Sequence, residues 1–285
     1  MSSIINHISK VKETVAEWKK QGLKVGLVPT MGALHIGHES LIKQARQTCD
    51  KVIVSVFVNP TQFGPNEDYD KYPRTLEADS ELCKKNGVDV IFAPSVTEMY
   101  PEIETLTSIV PPGEFQNKLC GKSRPGHFNG VALVVTKLFN ITQADIAFFG
   151  QKDAQQVAII KKFTRDLNIP IELVQCPIIR DKDGLAMSSR NTYLSQENRL
   201  KALCLNKILQ KVAKLYKEGE TSVEIVRAEA LKLLETGVDI EYFEFISSEN
   251  LEQKTQLDDK ILVAIAVKLN NIRLIDNIIL EKNSL

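Results

Sequence analysis

KVGLVPTMGALHIGHESLIKQA, residues 24–45, decides how this chain folds. It opens with KVGLVP, an apolar run of the kind buried on both faces of a parallel sheet. It closes on a helical pattern from Glu39 to Cys49 that places Leu41, Ile42, Ala45 and Cys49 on one face. Between the two, PTMGALHIGH (Pro29–His38) makes the turn from strand to helix, which in an open parallel sheet is where ligands bind. Gly32, Ala33 and Gly37 carry little side-chain bulk, so a nucleotide can approach the backbone closely, and a helix beginning near His38 points unpaired N–H groups at a phosphate. His35 and His38 stand three apart and can reach one anion. Imidazole donates hydrogen bonds to phosphate oxygens and, when protonated, offsets charge on a leaving pyrophosphate. The same spacing also fits a capping pair, or a metal site lacking its other ligands.

Moving outward, the strand-then-helix alternation repeats. KVIVSVFV from Lys51, VDVIFAP from Val88, DIAFFG from Asp145 and IPIELVQCP from Ile169 read as further buried strands, with a helix from Leu76 to Lys85 among them. Alternating strands and helices predict a doubly wound α/β domain with a parallel sheet. After about Ile178 the pattern changes. Polar-rich helices run from about Gln196 to Lys217 and from Ser222 to Leu234, followed by strand-like IEYFEFI, ILVAIAV and IRLIDNIIL. The reading is therefore a larger domain over 1–178 and a smaller α+β domain over 179–285, joined near the DKDG turn that ends at Gly184. A chain of 285 residues is long enough for each domain to bury a core of its own.

Lys and Arg number 36 and so do Asp and Glu, a balance that carries no footprint for wrapping nucleic acid. MSSIINHISKVKETVAEWKK at the start reads as an amphipathic helix with Val11, Val15 and Trp18 at helical spacing, not as a signal peptide, and no run is long enough to span a bilayer. The five cysteines form no Cys-x-x-Cys pair, which reads as reduced thiols in a cytoplasmic protein.

Two further segments offer chemistry. FGQKDAQQ (Phe148–Gln156) follows an apolar strand and opens a helix, so Lys152 and Asp153 fall at a second strand end. MSSRN (Met187–Asn191) follows a Gly-containing turn and supplies two hydroxyls and a guanidinium, a set suited to β- and γ-phosphates. Each also fits an ordinary solvated loop. The Walker phosphate loop is excluded: Gly121, Lys122 and Ser123 match its tail, but Gln116 stands where its first glycine belongs. No Gly-x-Gly-x-x-Gly fingerprint is present.

His-Ile-Gly-His at 35–38 and Met-Ser-Ser-Arg at 187–190 resemble the two ATP-binding signatures of the class I aminoacyl-tRNA synthetase and nucleotidyltransferase superfamily. More narrowly, PTMGALHIGH, FVNPTQFGPNEDYDKYPRT, GKSRPGHFNGVALVVTKLFN, FFGQKDAQQ and DGLAMSSRNTYLS, in that order, resemble the pantothenate synthetases. The resemblance implies a Rossmann-like nucleotide-binding domain and a homodimer. It also implies a ligase that joins pantoate to β-alanine using ATP and Mg²⁺ through a pantoyl adenylate. By resemblance the ATP site falls on Met31, Gly32, Ala33, Leu34, His35, Ile36, Gly37 and His38, on Gly150, Gln151, Lys152 and Asp153, near Ile179, and on Met187, Ser188, Ser189 and Arg190. Gln62 and Gln156 correspond to the residues that hold pantoate, Gln62 also lying near β-alanine, and Val134 and Val135 line the apolar side of the pocket. His38 takes the position of proton donor, with His35 and Lys152 as its catalytic companions. The metal ligands stay unassigned. Gln151, Ala154 and Cys120 depart from the residues common in the family.

Those roles suit the chemistry. A carboxylate attacking the α-phosphorus is already deprotonated, so catalysis comes from alignment and from stabilising charge on pyrophosphate. Neutral Gln62 and Gln156 orient a hydroxy acid without an ion pair that would blunt its nucleophilicity; without the family, Gln156 reads as a helix-surface amide. SRPGHFNG (Ser123–Gly130) reads either as a mobile flap over a nucleotide or as a surface loop. The competing functions are another adenylyltransferase of the same superfamily, acting on a different small acid, and a non-catalytic nucleotide-binding module.

Overall fold

Each apolar run becomes a strand. The computed structural model describes residues 2–65, 67–258 and 260–281. The strands β1 (Ser3–Ile5), β2 (Val25–Thr30), β3 (Lys51–Val56), β4 (Val90–Phe92), β5 (Ile146–Gly150) and β6 (Glu172–Cys176) form one sheet in the order β1-β4-β3-β2-β5-β6, parallel throughout. The reversal of strand order beside β2 puts the turn after Thr30 at the place where such sheets bind ligands.

Burial explains why the runs are unbroken. Val52 and Val54 pack on Leu41, Ile42 and Ala45 of the helix Ile36–Thr48, while Ile53 between them is equally buried on the opposite side. Strands covered on both faces favour apolar residues at successive positions, and the buried Ser55 of β3 is accommodated because its hydroxyl accepts from the Thr30 N–H at 3.2 Å. Each such side chain contributes roughly 1.5–3 kcal/mol on leaving water. The helix His127–Thr142 is apolar almost all round and packs near β2 and against the helix Ile8–Lys20.

The strands β7 (Asp239–Ser247), β8 (Ile261–Leu269) and β9 (Ile272–Leu280) form an antiparallel sheet in that order. Its core joins Phe243, Phe245, Val263 and Ile265 to Leu205, Ile208, Leu209 and Val212 of the helix Cys204–Lys217. The described residues gather into two compact units. One takes the chain to Gly150 with Ile159–Pro177, and the other takes Gln151–Ala158 with the chain from Ile178 onward.

Three local readings change. The N-terminal stretch is not helical from its start: Ser3–Ile5 pairs with β4, and the helix begins at Ile8, where Glu98 accepts the Ile8 N–H at 2.8 Å. Three residues, two of them exposed, carry too short a pattern to read as a strand. The helix predicted over 196–217 is two, Gln196–Ala202 and Cys204–Lys217, because the Leu203 N–H bonds three residues back, to Leu200 O. SRPGHFNG is a surface loop only in its first half, where Ser123, Pro125 and Gly126 are exposed. Ser123 ends a short helix, Gly126 adopts φ 80°, and His127 and Phe128 are buried in the first turn of His127–Thr142.

Candidate active site

The turn after β2 is fixed from both sides. Thr30 Oγ1 donates to Ser55 O at 2.6 Å and accepts from the Gly32 N–H at 3.1 Å, which bends the chain out of the sheet. Gly32 (φ 87°) and Ala33 (φ 49°) both take left-handed conformations, costly for Ala33 and sustained by its partner. That partner is Asp79, 1% exposed, whose carboxylate accepts from the Ala33 N–H at 3.1 Å and the Leu34 N–H at 2.8 Å. A Cβ at Gly32 would lie 3.0 Å from Asp79 Oδ2, so glycine permits the close approach.

His35 then caps the helix Ile36–Thr48. Its Nδ1 accepts from the Gly37 N–H at 3.1 Å, and His38 Nδ1 accepts from the His35 N–H at 3.3 Å, with the rings 4.1 Å apart. Both imidazoles thus spend Nδ1 as an acceptor, which assigns the neutral-ring proton to Nε2 in each. The two histidines thus form one capping arrangement in which Nδ1 of each ring builds the helix start.

Gln62 sits in the turn Pro60–Gln62, and its orientation is set by a residue that the sequence reading passed over. Burial pushes the Tyr100 hydroxyl up to about 12, and the hydroxyl donates to Asn59 Oδ1 at 2.9 Å. Thr61 donates to the same oxygen from its N–H (3.3 Å) and Oγ1 (3.0 Å). Asn59 Nδ2 is therefore the donor end, and it reaches Gln62 Oε1 at 3.0 Å and Gly130 O at 3.1 Å. Gln62 is left presenting Nε2, 3.1 Å from Met31 Sδ, a weak acceptor.

The Gln62 main chain is held as firmly. His127 Nδ1–H donates to Gln62 O at 2.8 Å, leaving Nε2 to accept from Arg124 at 3.1 Å. Arg124 Nε also donates to Glu67 at 2.7 Å. Burial acts to raise the Glu67 carboxyl, but Arg124 outweighs it and holds the group below its ordinary value. Gly130 admits this packing: a Cβ there would stand 2.2 Å from Thr61 O.

In the other unit, Gln151–Asp153 forms a 3₁₀ turn with Lys152 Nζ 3.9 Å from Asp153 Oδ1. Gln156 is half-buried in the first turn of the helix Ala154–Asp166. Met187 N–H donates to Ile179 O at 2.9 Å, tying the two predicted ATP positions together, and Ser188 Oγ accepts from the Arg190 N–H at 3.3 Å to start the 3₁₀ turn Ser189–Tyr193. Val134 and Val135 are buried in His127–Thr142.

A cavity of ≈ 270 Å³ opens beside Met31 and Gly32, lined by Val56–Val58, Arg74–Leu76 and Ala93–Val96. Several of its polar groups are engaged within the protein. Arg74 donates to Tyr72 O at 3.0 Å, Ser95 caps the helix Val96–Met99, and Asp79 holds the turn. Among the described residues, no group of three or more His, Cys, Asp or Glu side chains is placed to hold a metal ion, and no helix is long and apolar enough to cross a membrane.

Asn59 and Asp79 carried faint signals. Asn-Pro after an apolar strand marks a turn, and an acid in the first turn of the helix Leu76–Lys85 marks a partner for N–H groups. Neither signal names the partner.

A six-stranded parallel sheet followed by a small antiparallel sheet is an arrangement this chain shares with solved C–N bond-forming ligases. Solved pantothenate synthetase from Thermus thermophilus matches with a TM-score of 0.90 at 39% identity, covering 96% of this chain and 98% of that one. Pantoate-beta-alanine ligase from Francisella tularensis, complexed with beta-gamma ATP and beta-alanine, matches with a TM-score of 0.81 at 38% identity over 98% of each chain. Pantothenate synthetase of Acetivibrio thermocellus is 50% identical over 287 residues, spanning 98% of this chain and 99% of its own. The pantoate-beta-alanine ligase family profile matches residues 3–279, and the chain belongs to that family.

Proposed function

We propose that the chain joins (R)-pantoate to β-alanine with ATP, forming pantothenate, AMP and pyrophosphate through a pantoyl adenylate. Family membership over nearly the full length supports the reaction, and the relative complexed with beta-gamma ATP and beta-alanine supports the substrates. The observation that carries the reading is the fixed direction of the Gln62 amide. A hydroxy acid offers only oxygen acceptors once ionised, apart from its hydroxyl protons, and Nε2 of Gln62 is a donor whose present partner is a thioether.

The pantoate carboxylate attacks the α-phosphorus in line and pyrophosphate leaves. No base is needed, so the residues align and stabilise charge. We assign His35, His38, Lys152, Ser188, Ser189 and Arg190 to phosphate oxygens, with Met31–Leu34, Ile36, Gly37, Gly150, Gln151, Asp153, Ile179 and Met187 completing the ATP contacts. Gln62 and Gln156 take pantoate, and Gln62 also takes β-alanine. The neutral amine then attacks the acyl carbon, the carbonyl oxygen gains charge, and AMP departs as that charge collapses. Mg²⁺ enters on the phosphate oxygens, as part of the substrate MgATP.

Two further parts of the proposal rest on the resemblance and on the thiols. The protein is a homodimer, which light scattering tests, and it resides in the cytoplasm, consistent with five free cysteines.

The deciding experiment is exchange of labelled pyrophosphate into ATP with Mg²⁺, run with pantoate, with other small acids, and with none. Pantoate-dependent exchange without β-alanine, followed by AMP and pantothenate once it is added, is expected. Exchange only with another acid replaces the substrate and keeps the mechanism. No exchange with any acid leaves a nucleotide-binding module.

A further inference from the structure

Strand β9 reads IRLIDNIIL, and its two central polar residues, Asp276 and Asn277, are 3% and 2% exposed. Burying two polar side chains in an apolar strand costs free energy unless each is hydrogen-bonded, so their partners are informative. Asn277 Nδ2 donates to Gln151 O and to Lys152 O, both at 3.0 Å, and Asn277 Oδ1 accepts from Gln151 Nε2 at 3.2 Å. One side chain thus grips two successive carbonyls and the side chain of the Gln151–Asp153 turn. Asp276 takes the Arg180 guanidinium in a two-pronged pair, at 2.6 and 2.9 Å, and its Oδ1 also accepts from the Asn277 N–H at 2.8 Å. Arg180 in turn donates to Gly184 O at 3.2 Å and pairs by its backbone with Ala186, closing the hairpin that leads into Met187–Arg190. Burial pushes the Asp276 carboxyl up from its ordinary value, and Arg180 opposes that shift. All of these residues lie in one unit.

We propose that Asp276 and Asn277 are positioning residues for the adenylation step. Asn277 fixes the turn that carries Lys152, and Asp276, through Arg180, fixes the hairpin that delivers Ser188 to Arg190. A strand remote in sequence from either loop thereby sets both, and the inference rests on the assignment of Lys152 and the Met187–Arg190 segment to the phosphates. Asn277 holds the carbonyls of residues 151 and 152 in addition to the 3₁₀ turn they belong to, and the Lys152 side chain leaves the backbone from between those carbonyls. Misplacing a charge-stabilising donor by an ångström lowers the rate of the chemical step while leaving pantoate recognition intact.

The test is a double-mutant cycle on pyrophosphate exchange, using Asn277→Ala, Lys152→Ala and the pair, each checked for folding by thermal unfolding. Asn277→Ala is expected to lower the maximal exchange rate about tenfold with the pantoate KM essentially unchanged, and Lys152→Ala about a hundredfold. In the Lys152→Ala background the Asn277→Ala loss should vanish, because the residue it positions is gone. A merely structural Asn277 gives the same fractional loss in both backgrounds, which overturns the proposal and leaves the Lys152 assignment standing. Wild-type exchange in Lys152→Ala removes that assignment and the proposal with it. If Asn277→Ala does not fold, Asn277→Ser enters the same cycle with the same readings.

Discussion

The Tyr100 hydroxyl donates to Asn59 Oδ1 across 2.9 Å, and together with the Thr61 N–H on the same oxygen it sets which end of the Gln62 amide is the donor end. A phenol held up to about 12 by burial keeps its proton where ordinary tyrosines, near 10.0, lose theirs. The raised value has a linkage consequence. Its contribution to stability is complete below about 10 and is lost as pH rises through about 12, since the folded state binds the proton more tightly than the unfolded one. An alkaline titration followed by phenolate absorbance should show one of the six tyrosines resisting ionisation until the protein unfolds. Tyr100→Phe should abolish that late step and raise the pantoate KM about fivefold, the worth of roughly 1 kcal/mol of hydrogen bonding. Six tyrosines ionising together would contradict the assignment.

Asp79 holds the Ala33 and Leu34 N–H groups. Asp79→Asn keeps the shape but replaces one acceptor oxygen with an NH₂ group, leaving one of those N–H groups without a partner in a buried place. The expected losses are about 1–3 kcal/mol of stability by denaturant unfolding and about tenfold in pyrophosphate exchange through the displaced turn. Unchanged exchange would mean that the turn holds its form without the carboxylate.

His38→Ala and Gln156→Ala should separate chemistry from recognition. Loss of the His38 donor is expected to lower adenylate formation by about 10²-fold, a typical cost for one charge-stabilising group. Gln156→Ala should act mainly on the dependence of rate on pantoate concentration. Steady-state exchange kinetics distinguish the two, and an unaltered pantoate dependence would remove Gln156 from the substrate site.

Gly130 faces the Asn59–Gln62 turn so closely that an added methyl would stand 2.2 Å from Thr61 O and 2.6 Å from Gln62 N. Both are backbone atoms and cannot swing aside. Gly130→Ala should therefore shift that turn, lower the melting temperature by several degrees, and raise the pantoate KM more than any other change outside the contact residues. A wild-type KM with a lowered melting temperature would show that the turn adapts.

Burial pushes the Cys83 thiol up to about 12 and the Cys176 thiol up to about 11, and it also raises Cys49 and Cys204. Alkylation requires thiolate and access. Iodoacetamide at pH 8 should label only the half-exposed Cys120 of the folded chain and all five cysteines in denaturant, read by mass spectrometry of the peptides. Rapid labelling of Cys83 in the folded protein would place an opening in the helix Leu76–Lys85.

The strands of the parallel sheet were legible because burial on both faces leaves an unbroken apolar run, a property of a few adjacent residues. Ser3–Ile5 escaped because its partner, β4, supplies the hydrogen bonds that make it a strand. The break at Leu203 escaped because the helical pattern continues through it. In the site, His35 and His38 could be paired by their spacing along one turn. Asn59 and Tyr100, 41 residues apart, and Ala33 and Asp79, 46 apart, could not.

By itself the sequence determined where the longer strands and most helices run, which turn carries the histidines, and the donor types available there, since all of these follow from local periodicity and side-chain chemistry. Tertiary structure alone decided the rest: that Nδ1 of both histidines is spent on the helix start, that Gln62 presents its NH₂ end, and that Asp276 and Asn277 grip the segments carrying Lys152 and Arg190. The direction of a hydrogen bond and the protonation of a buried group depend on burial and on partners far along the chain, which no short stretch of sequence contains.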